Sequence, residues 1–400
     1  MRRNWTWSVA FVAATGLALS SCGGSSAAPP PQTVAPTAPR RAFDPPTRFD
    51  VVKAVRLPDE ATGIALYTTK AFVAMPSNLE VIDTTTGKVI NTITPDLKPA
   101  DPADKPAAPK LAGIDGIDTV LVPMLVTVPG KGTKSARNAV EIIGVGARSA
   151  KRLWSVRVEI DKAGSAQPMN TAVVGVVGNI VVLRANGATY GVDIAAKKTV
   201  WSTAGFEAAA VTSAAVVGVT GDGASGQQVG SLNFADGTQR WVDARLSTGL
   251  NVQPGGQTFV LISGSDFNTG KSFYGLIDTS TGTAGQPVEL HSPHQIICSY
   301  DDAATTACYT ENWSGGFDST TGNWLWKLPD PQADRVSITV TAAWHGAVYG
   351  VTDNGPVVLD ARTGADLQPK PGAAPSVVNS YGGAGQHPTE AGLYAFTAVG

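Results

Sequence analysis

The 400-residue chain contains few of the residues from which catalytic and metal sites are usually built. It has three cysteines and four histidines, and no CxxC or HExxH string that would indicate a zinc site. GxSxG, P-loop and EF-hand strings are absent as well. These absences argue against the common hydrolases, nucleotide-binding proteins and calcium-binding proteins. We therefore expect a protein that is not an enzyme and that has no metal site and no cofactor.

The charge of the chain is low and balanced, with 30 basic against 32 acidic residues. No stretch is rich in lysine and arginine, and loss of Arg2 and Arg3 with a leader would make the balance more acidic. Nucleic-acid binding depends on a basic face, so we expect no nucleic acid partner.

Amphipathic helical windows are missing beyond the N-terminus, whereas short apolar runs are frequent. Examples are Ala71–Met75, Ile180–Leu183 and Phe259–Ile262, each of strand length and bounded by turn-forming residues. The sequence therefore predicts an all-β protein.

One turn sequence recurs along the chain, most clearly as Val-Ile-Asp-Thr-Thr-Thr-Gly-Lys-Val from Val81 to Val89. We take the aspartate of each copy as the reference position. The reference residues are Asp83, Gly146, Asp193, Asn233, Asp278, Asp318, Asp360 and Phe396. Most neighbouring copies are about 40 to 45 residues apart, a period typical of stacked or radial repeat folds.

Two further positions of the repeat favour one residue type. Four residues after the reference position, glycine occurs as Gly87, Gly237, Gly282, Gly322, Gly364 and Gly400. Eight residues after it, tryptophan occurs as Trp154, Trp201, Trp241 and Trp326. Glycine allows the positive φ of a tight turn, while aspartate or asparagine bonds its own backbone. We interpret these as structural turn residues, and the tryptophans as contacts between neighbouring sheets.

About four strand-length runs fit into each repeat, which is typical of a propeller blade. The last copy ends before an outermost strand, and the run Phe49–Val55 precedes the first full repeat. Pairing the two would remove two exposed strand edges. We therefore predict an eight-bladed β-propeller whose N-terminal strand closes the last blade. Seven blades is the alternative, if the Gly146 copy is a decorated loop.

The N-terminus has the order of an export signal. Arg2 and Arg3 precede an apolar run that is too short to span a membrane. The following Leu19-Ser20-Ser21-Cys22 resembles the lipobox of bacterial lipoproteins, in which the cysteine is lipidated. We predict a signal peptide over 1–21, a Pro/Ser/Ala-rich tether over 22–47 and the propeller over 48–400. A plain secretory signal is the alternative.

Cys298 and Cys308 flank Tyr300–Thr306 on what reads as the two arms of a hairpin. Opposed residues on such arms lie within disulfide reach, and export permits the bond. We predict a disulfide, with two free buried thiols as the alternative.

Other candidate residues give no chemical constellation. His291, His294, His345 and His387 read as ordinary loop histidines, and the carboxylates of Asp115, Asp118, Glu141 and Glu159 are scattered. An insertion over 95–113 and a basic hairpin tip over 129–137 are possible binding loops, although solvated loops are the simpler interpretation.

The strings Asn233…Gly237…Trp241 and Asp318…Gly322…Trp326 resemble the tryptophan-docking motif of the quinoprotein (PQQ-like) β-propeller family. The resemblance covers about residues 48 to 400. Quinone-dependent dehydrogenases of this family have an adjacent-cysteine disulfide and a calcium site, neither of which this sequence matches. The resemblance to BamB-like envelope lipoproteins implies a scaffold role.

The expected function is therefore that of a lipid-anchored, extracytoplasmic binding or scaffold protein. We expect it to be a monomer that is held at the outer face of the cell membrane through Cys22 and binds an envelope protein or cell-wall component. The alternative is a small-ligand-binding or enzymatic propeller with a site at the mouth of the central channel.

Overall fold

The computed structural model describes residues 41–100, 106–160, 171–222, 224–285, 288–290 and 295–400. A compact unit spans Arg41–Gly400. The predicted signal peptide, Cys22, the tether up to residue 40, His291 and His294 lie outside the described residues. In the part that is described, no helix is long and apolar enough to cross a membrane.

The strands follow one another in antiparallel groups of four, apart from β1, which joins the last group. The first strand is β1 (Phe49–Arg56). The first group is β2 (Gly63–Tyr67), β3 (Lys70–Ala74), β4 (Leu79–Asp83) and β5 (Val89–Ile93). The second is β6 (Lys110–Ile114), β7 (Ile117–Val128), β8 (Arg137–Gly146) and β9 (Lys151–Glu159). The third is β10 (Ala172–Val177), β11 (Ile180–Ala185), β12 (Ala188–Asp193) and β13 (Lys198–Ala204). The fourth is β14 (Phe206–Val211), β15 (Val216–Asp222), β16 (Gly226–Leu232) and β17 (Gln239–Val242).

The second half of the chain continues the pattern. The fifth group is β18 (Ser247–Gly255), β19 (Phe259–Asp266), β20 (Ser272–Asp278) and β21 (Val288–Leu290). The sixth is β22 (Ile297–Tyr300), β23 (Thr305–Tyr309), β24 (Ser314–Asp318) and β25 (Trp324–Leu328). The seventh is β26 (Thr339–Trp344), β27 (Ala347–Thr352), β28 (Gly355–Asp360) and β29 (Asp366–Gln368). The eighth is β30 (Val377–Asn379), β31 (Gly382–Gln386) and β32 (Leu393–Ala398). Within the described residues, the 3-10 turn Pro331–Ala333 is the only helical element.

The N-terminal strand closes the last group, as predicted. β1 pairs antiparallel with β32, with Phe49 opposite Ala398 and Arg56 opposite Tyr394. The first strand of each group contacts the first strand of the next, and β30 contacts β2, so the series returns to its start. This arrangement is a multi-bladed β-propeller whose two chain ends share one sheet.

Six groups are separate four-stranded sheets, and the fourth and fifth are joined into one eight-stranded sheet through the pair Gln227 and Ser247. The eight-bladed count stays a prediction, because two groups share this sheet. The Gly146 copy lies between β8 and β9 of a complete four-stranded sheet and is not a decorated loop.

Burial follows the position of a strand within its group. Ala71, Phe72 and Val73 on β3 are fully buried, because other sheets cover both faces of an inner strand. The outermost β5 and β13 are instead largely exposed. Residues of neighbouring sheets share hydrophobic clusters, such as the one that joins Phe72 and Val81 to Val120 and Ile143. Each such buried side chain contributes about 1.5–3 kcal/mol to folding.

The first predicted insertion is shorter than its predicted bounds of 95–113, because Lys110–Ile114 forms β6, the first strand of the second group. Most residues of this strand, Lys-Leu-Ala-Gly-Ile, are exposed, and one of them is a glycine. It therefore lacks the continuous apolar run by which the other inner strands are visible in the sequence.

Candidate functional site

The repeated turns share one hydrogen-bond pattern. The Oδ1 atom of the reference aspartate accepts the backbone N–H groups two and three residues on, for example those of Thr320 and Thr321 at Asp318 (2.9 and 3.0 Å). These N–H groups hold the pKa of the Asp318 carboxyl below its usual range. Aspartates with the same two bonds are Asp83, Asp193, Asp278 and Asp360, while Asn233 accepts the N–H of Ala235.

The repeat tryptophans join neighbouring groups. In three of the four, the indole N–H donates to the carbonyl one residue after the reference position of the following group. These bonds are Trp201 to Phe234 (2.9 Å), Trp241 to Thr279 (3.1 Å) and Trp326 to Ala361 (2.7 Å). Trp154 packs against the hydrophobic cluster that contains Ile194. Ile194 stands one residue after the reference position of the third group, the position whose carbonyl the other three tryptophans bond in their neighbours.

The glycines of these turns are required by two separate constraints. Gly237, Gly282 and Gly364 have φ of +71°, +75° and +68°, and a Cβ on them would lie 2.7–2.8 Å from the ring of the docked tryptophan. A second set lies beneath the tryptophan of its own group, where a Cβ would overlap the ring: Gly144, Gly191 and Gly316. This second set stands two residues before the reference position, a signal that the sequence contains and that our prediction missed.

Cys298 and Cys308 are opposite each other on β22 and β23 and are joined by a disulfide with an S–S distance of 2.04 Å. The turn between them contains Asp301, whose buried carboxylate accepts the N–H groups of Ala303, Ala304 and Thr305. The second oxygen of Asp301 accepts the N–H of Gly346 in the next group (3.1 Å). The hairpin is therefore fixed both internally and to its neighbour.

Turns of adjacent groups lie on one side of the ring. The Tyr67 hydroxyl donates to Asp118 (2.8 Å), and the Asn379 side chain donates to the carbonyl of Thr68 (2.9 Å). We call this side, which carries the turns between first and second strands and between third and fourth strands, the turn face. Antiparallel order places the β7–β8 connection on the opposite side, which we call the hairpin face.

The remaining insertion packs beside the long β7–β8 hairpin on the hairpin face. The backbone N–H of Ala100 donates to the carbonyl of Leu125 (3.0 Å), and that of Thr127 to Lys98 (2.9 Å). The tip of the hairpin is a tight turn in which Lys131 and Lys134 exchange backbone bonds of 3.1 Å.

Glu141, one of the scattered carboxylates, is buried and has a structural environment. It forms an ion pair with Arg152 and accepts the backbone N–H of Asp96 (3.0 Å). Arg152 also bonds the Asp96 carboxylate (2.7 Å). This network fastens the start of the insertion to the second group.

A cavity of about 700 Å³ occupies the centre of the ring. It is lined by first strands from six groups, so it is the central channel. The polar and aromatic side chains among the lining residues include Tyr67, Lys110, Ser299, Asp302, Trp344 and Asn379. Apolar side chains such as Ile64, Val173 and Val377 complete the wall.

Two charged side chains of the channel have shifted pKa values. Burial lowers the pKa of the Lys110 ammonium, an effect that the charge of Asp302 opposes. Burial likewise raises the pKa of the Asp302 carboxyl, against the charges of His345 and Lys110. Both residues are exposed to solvent at the channel wall, so the protein atoms around them desolvate their charges only in part.

The N-terminal segment, residues 43–47, lies along the turn face near the channel mouth. The Phe43 N–H donates to the carbonyl of Ser380 (2.7 Å). Asp44 accepts the Trp344 indole N–H (3.1 Å) and lies 2.5 Å from His345 Nδ1. The described end of the predicted tether is therefore part of the folded body, because it has bonding partners there.

Two other predicted residues within the described ranges have structural partners. His387 Nε2 lies 3.2 Å from the carbonyl of Val51, and Glu159 pairs with Arg137 at 2.5 Å. No group of three or more histidine, cysteine, aspartate or glutamate side chains that could hold a metal ion occurs among the residues that the structure describes.

No protein-family model and no curated protein matches the chain. Solved structures do match. The crystal structure of BamB from Moraxella catarrhalis has a TM-score of 0.50 and 16% identity, and the match covers 88% of this chain and 100% of that one. Dihydro-heme d1 dehydrogenase NirN in complex with DHE has a TM-score of 0.47 and 14% identity, over 84% of this chain and 76% of that one. The likeness to BamB confirms the predicted BamB-like propeller fold.

Proposed function

We propose that this chain is an exported, lipid-anchored propeller that binds a partner in the cell envelope and has no catalytic activity of its own. The Cys298–Cys308 disulfide is the observation that carries the proposal, because such bonds persist in oxidising compartments outside the cytosol. The lipobox-like Leu19-Ser20-Ser21-Cys22 supports a lipid anchor at Cys22 and a location at the outer face of the membrane.

The position of the N-terminal segment supports an orientation for this monomer. Residues 43–47 are bound to the turn face, so the tether reaches the body on that side. The hairpin face is on the opposite side of the body from this attachment. It carries the β7–β8 hairpin with Lys131 and Lys134 at its tip, and loops on a rigid scaffold commonly carry binding. An envelope protein or cell-wall component contacts this face.

Site-specific photo-crosslinking in intact cells tests the proposal. A photoreactive residue at Thr133, in the hairpin tip, is expected to give a discrete adduct, whereas one at Thr86, in a turn of the turn face, is not. Cys22→Ala should release the protein from the membrane fraction and abolish the adduct. Equal crosslinking from both positions, or no adduct from Thr133, would contradict the proposed binding face, and a membrane-bound Cys22→Ala protein would contradict the anchor.

A further inference from the structure

The central channel contains two opposite charges that do not neutralise each other directly. The Lys110 ammonium donates to the carbonyl of Val174 (2.6 Å), at the start of the neighbouring strand β10. Asp302 belongs to the turn after β22, on the turn face. No ion pair joins either side chain to another described residue, although each lies within electrostatic range of the other.

Such an arrangement has an energetic cost that a ligand can offset. A desolvated charge is unfavourable unless a counter-charge and hydrogen-bond partners replace water. Burial shifts the pKa of each group towards its neutral form, the direction expected when the charges nearby compensate the desolvation only in part. A molecule with an anionic group for Lys110 and a cationic group for Asp302 would supply both counter-charges.

Trp344 lines the same cavity as Asp302, and one face of its ring stacks on that of His345 with 4.0 Å between centroids. Because Asp44 accepts the indole N–H, a hydrogen bond within the protein fixes the position of the ring. A rigid indole attracts a cationic group through its π face.

We propose that the central channel binds a small zwitterion of the class of a short peptide with free ends. Its carboxylate lies at the Lys110 ammonium, and its amino group lies at Asp302 beside Trp344. The cavity of about 700 Å³ has room for several residues, and Ile64, Val173 and Val377 suit aliphatic side chains. This inference goes beyond the proposed envelope function and does not depend on the anchor or the hairpin face.

Calorimetric titration of the detergent-solubilised mature protein with tri-L-alanine tests it. We expect binding that weakens by about tenfold or more when the peptide is N-acetylated, and again when it is C-amidated, since each change removes one charge-assisted hydrogen bond. An absence of tri-L-alanine binding, or equal affinity for the blocked peptides, would overturn the proposal.

Variants assign each end of the peptide to its residue. Lys110→Met should bind the free and the C-amidated peptide equally weakly, whereas Asp302→Asn should lose only the preference for a free amino end. Lys53→Met, at an exposed position of the outermost strand β1, is the matched control and should bind as the parent does. The comparison of blocked peptides on the parent protein stands even if Lys110→Met fails to fold. Retention of the parent affinity by both channel variants would refute the assignment.

Discussion

The outer layer of the ring and its central channel follow different rules. In the outer layer one arrangement is repeated: Trp201, Trp241 and Trp326 each bond the turn of the next group and pack on its glycine or on the adjoining backbone. In the channel no arrangement is repeated. Among the described lining residues, Lys110 on a first strand and Asp302 in a turn come from different groups and belong to no column of the repeat.

This difference separates shape from specific chemistry. A repeated contact maintains the geometry of a ring, so each copy must satisfy the same turn and the same ring contact. A side chain that faces the channel makes none of these repeated contacts. The scaffold fixes its position, so its residue type can vary. Specific binding on a shared fold depends on such unconstrained positions.

Substitution of a docking tryptophan should have the largest effect on the free energy of unfolding. Trp201 is 8% exposed, and its removal leaves a cavity between the third and fourth groups. Trp201→Ala should lower the free energy of unfolding by about 3–5 kcal/mol. Chemical denaturation followed by circular dichroism measures this change.

The adjacent Val200, 40% exposed on the same strand, provides the control for Trp201→Ala. Val200→Ala should change the free energy of unfolding by less than about 1 kcal/mol, because little apolar surface leaves water at that position. Comparable losses in the two variants would mean that the tryptophan does not join the groups.

A smaller effect is expected from the turn glycines, and it separates backbone strain from docking. Gly237 and Gly116 have similar φ angles of +71° and +75°, but a Cβ on Gly237 would lie 2.7 Å from Trp201, whereas one on Gly116 meets nothing within 4 Å. Gly116→Ala should cost about 1 kcal/mol for the left-handed conformation alone. Gly237→Ala should cost about 1–3 kcal/mol more, because the added methyl group overpacks the contact.

Thermal and chemical denaturation of both glycine variants measure the difference. If both changed the free energy of unfolding equally, the steric requirement of the docked ring would be disproved, and positive φ alone would account for the glycine column.

The outer layer could be predicted from the sequence because its geometry restricts residue type. Aspartate and asparagine suit this turn bond best, and the docked indole leaves room only for glycine, so Asp318 and Gly364 are visible as a pattern. The closure of the last group by β1 could also be predicted, because the N-terminal end of the propeller had a strand without a repeat and the C-terminal repeat lacked its outermost strand.

The channel could not be predicted because it is assembled from residues that share no pattern. Lys110 fell within the stretch that we read as an insertion, and Asp302 within the turn between two cysteines. Which side of a short inner strand faces the channel depends on register, and inner strands buried on both faces have no alternation from which to read it. That these two charges line the same channel is therefore visible only in the folded structure.

The smallest expected effect compares one aspartate from each region, and the two should respond to pH in opposite directions. The pKa of Asp318 is lowered by backbone N–H groups, so its charge stabilises the fold above the pKa of the unfolded chain and this stability is lost on acidification. The pKa of Asp302 is raised by burial, so the folded state prefers the protonated form, and stability is lost as pH rises through that pKa.

Substitution by asparagine removes both titrations while keeping the shape. At neutral pH, Asp318→Asn should lower the melting temperature and Asp302→Asn should raise it, each by about 2 °C or less, and both differences should shrink towards pH 3. Differential scanning calorimetry at the two pH values measures this. A lower melting temperature for Asp302→Asn at neutral pH would mean that its carboxylate is a structural partner like those of the turns. The channel charge would then no longer be free for a ligand.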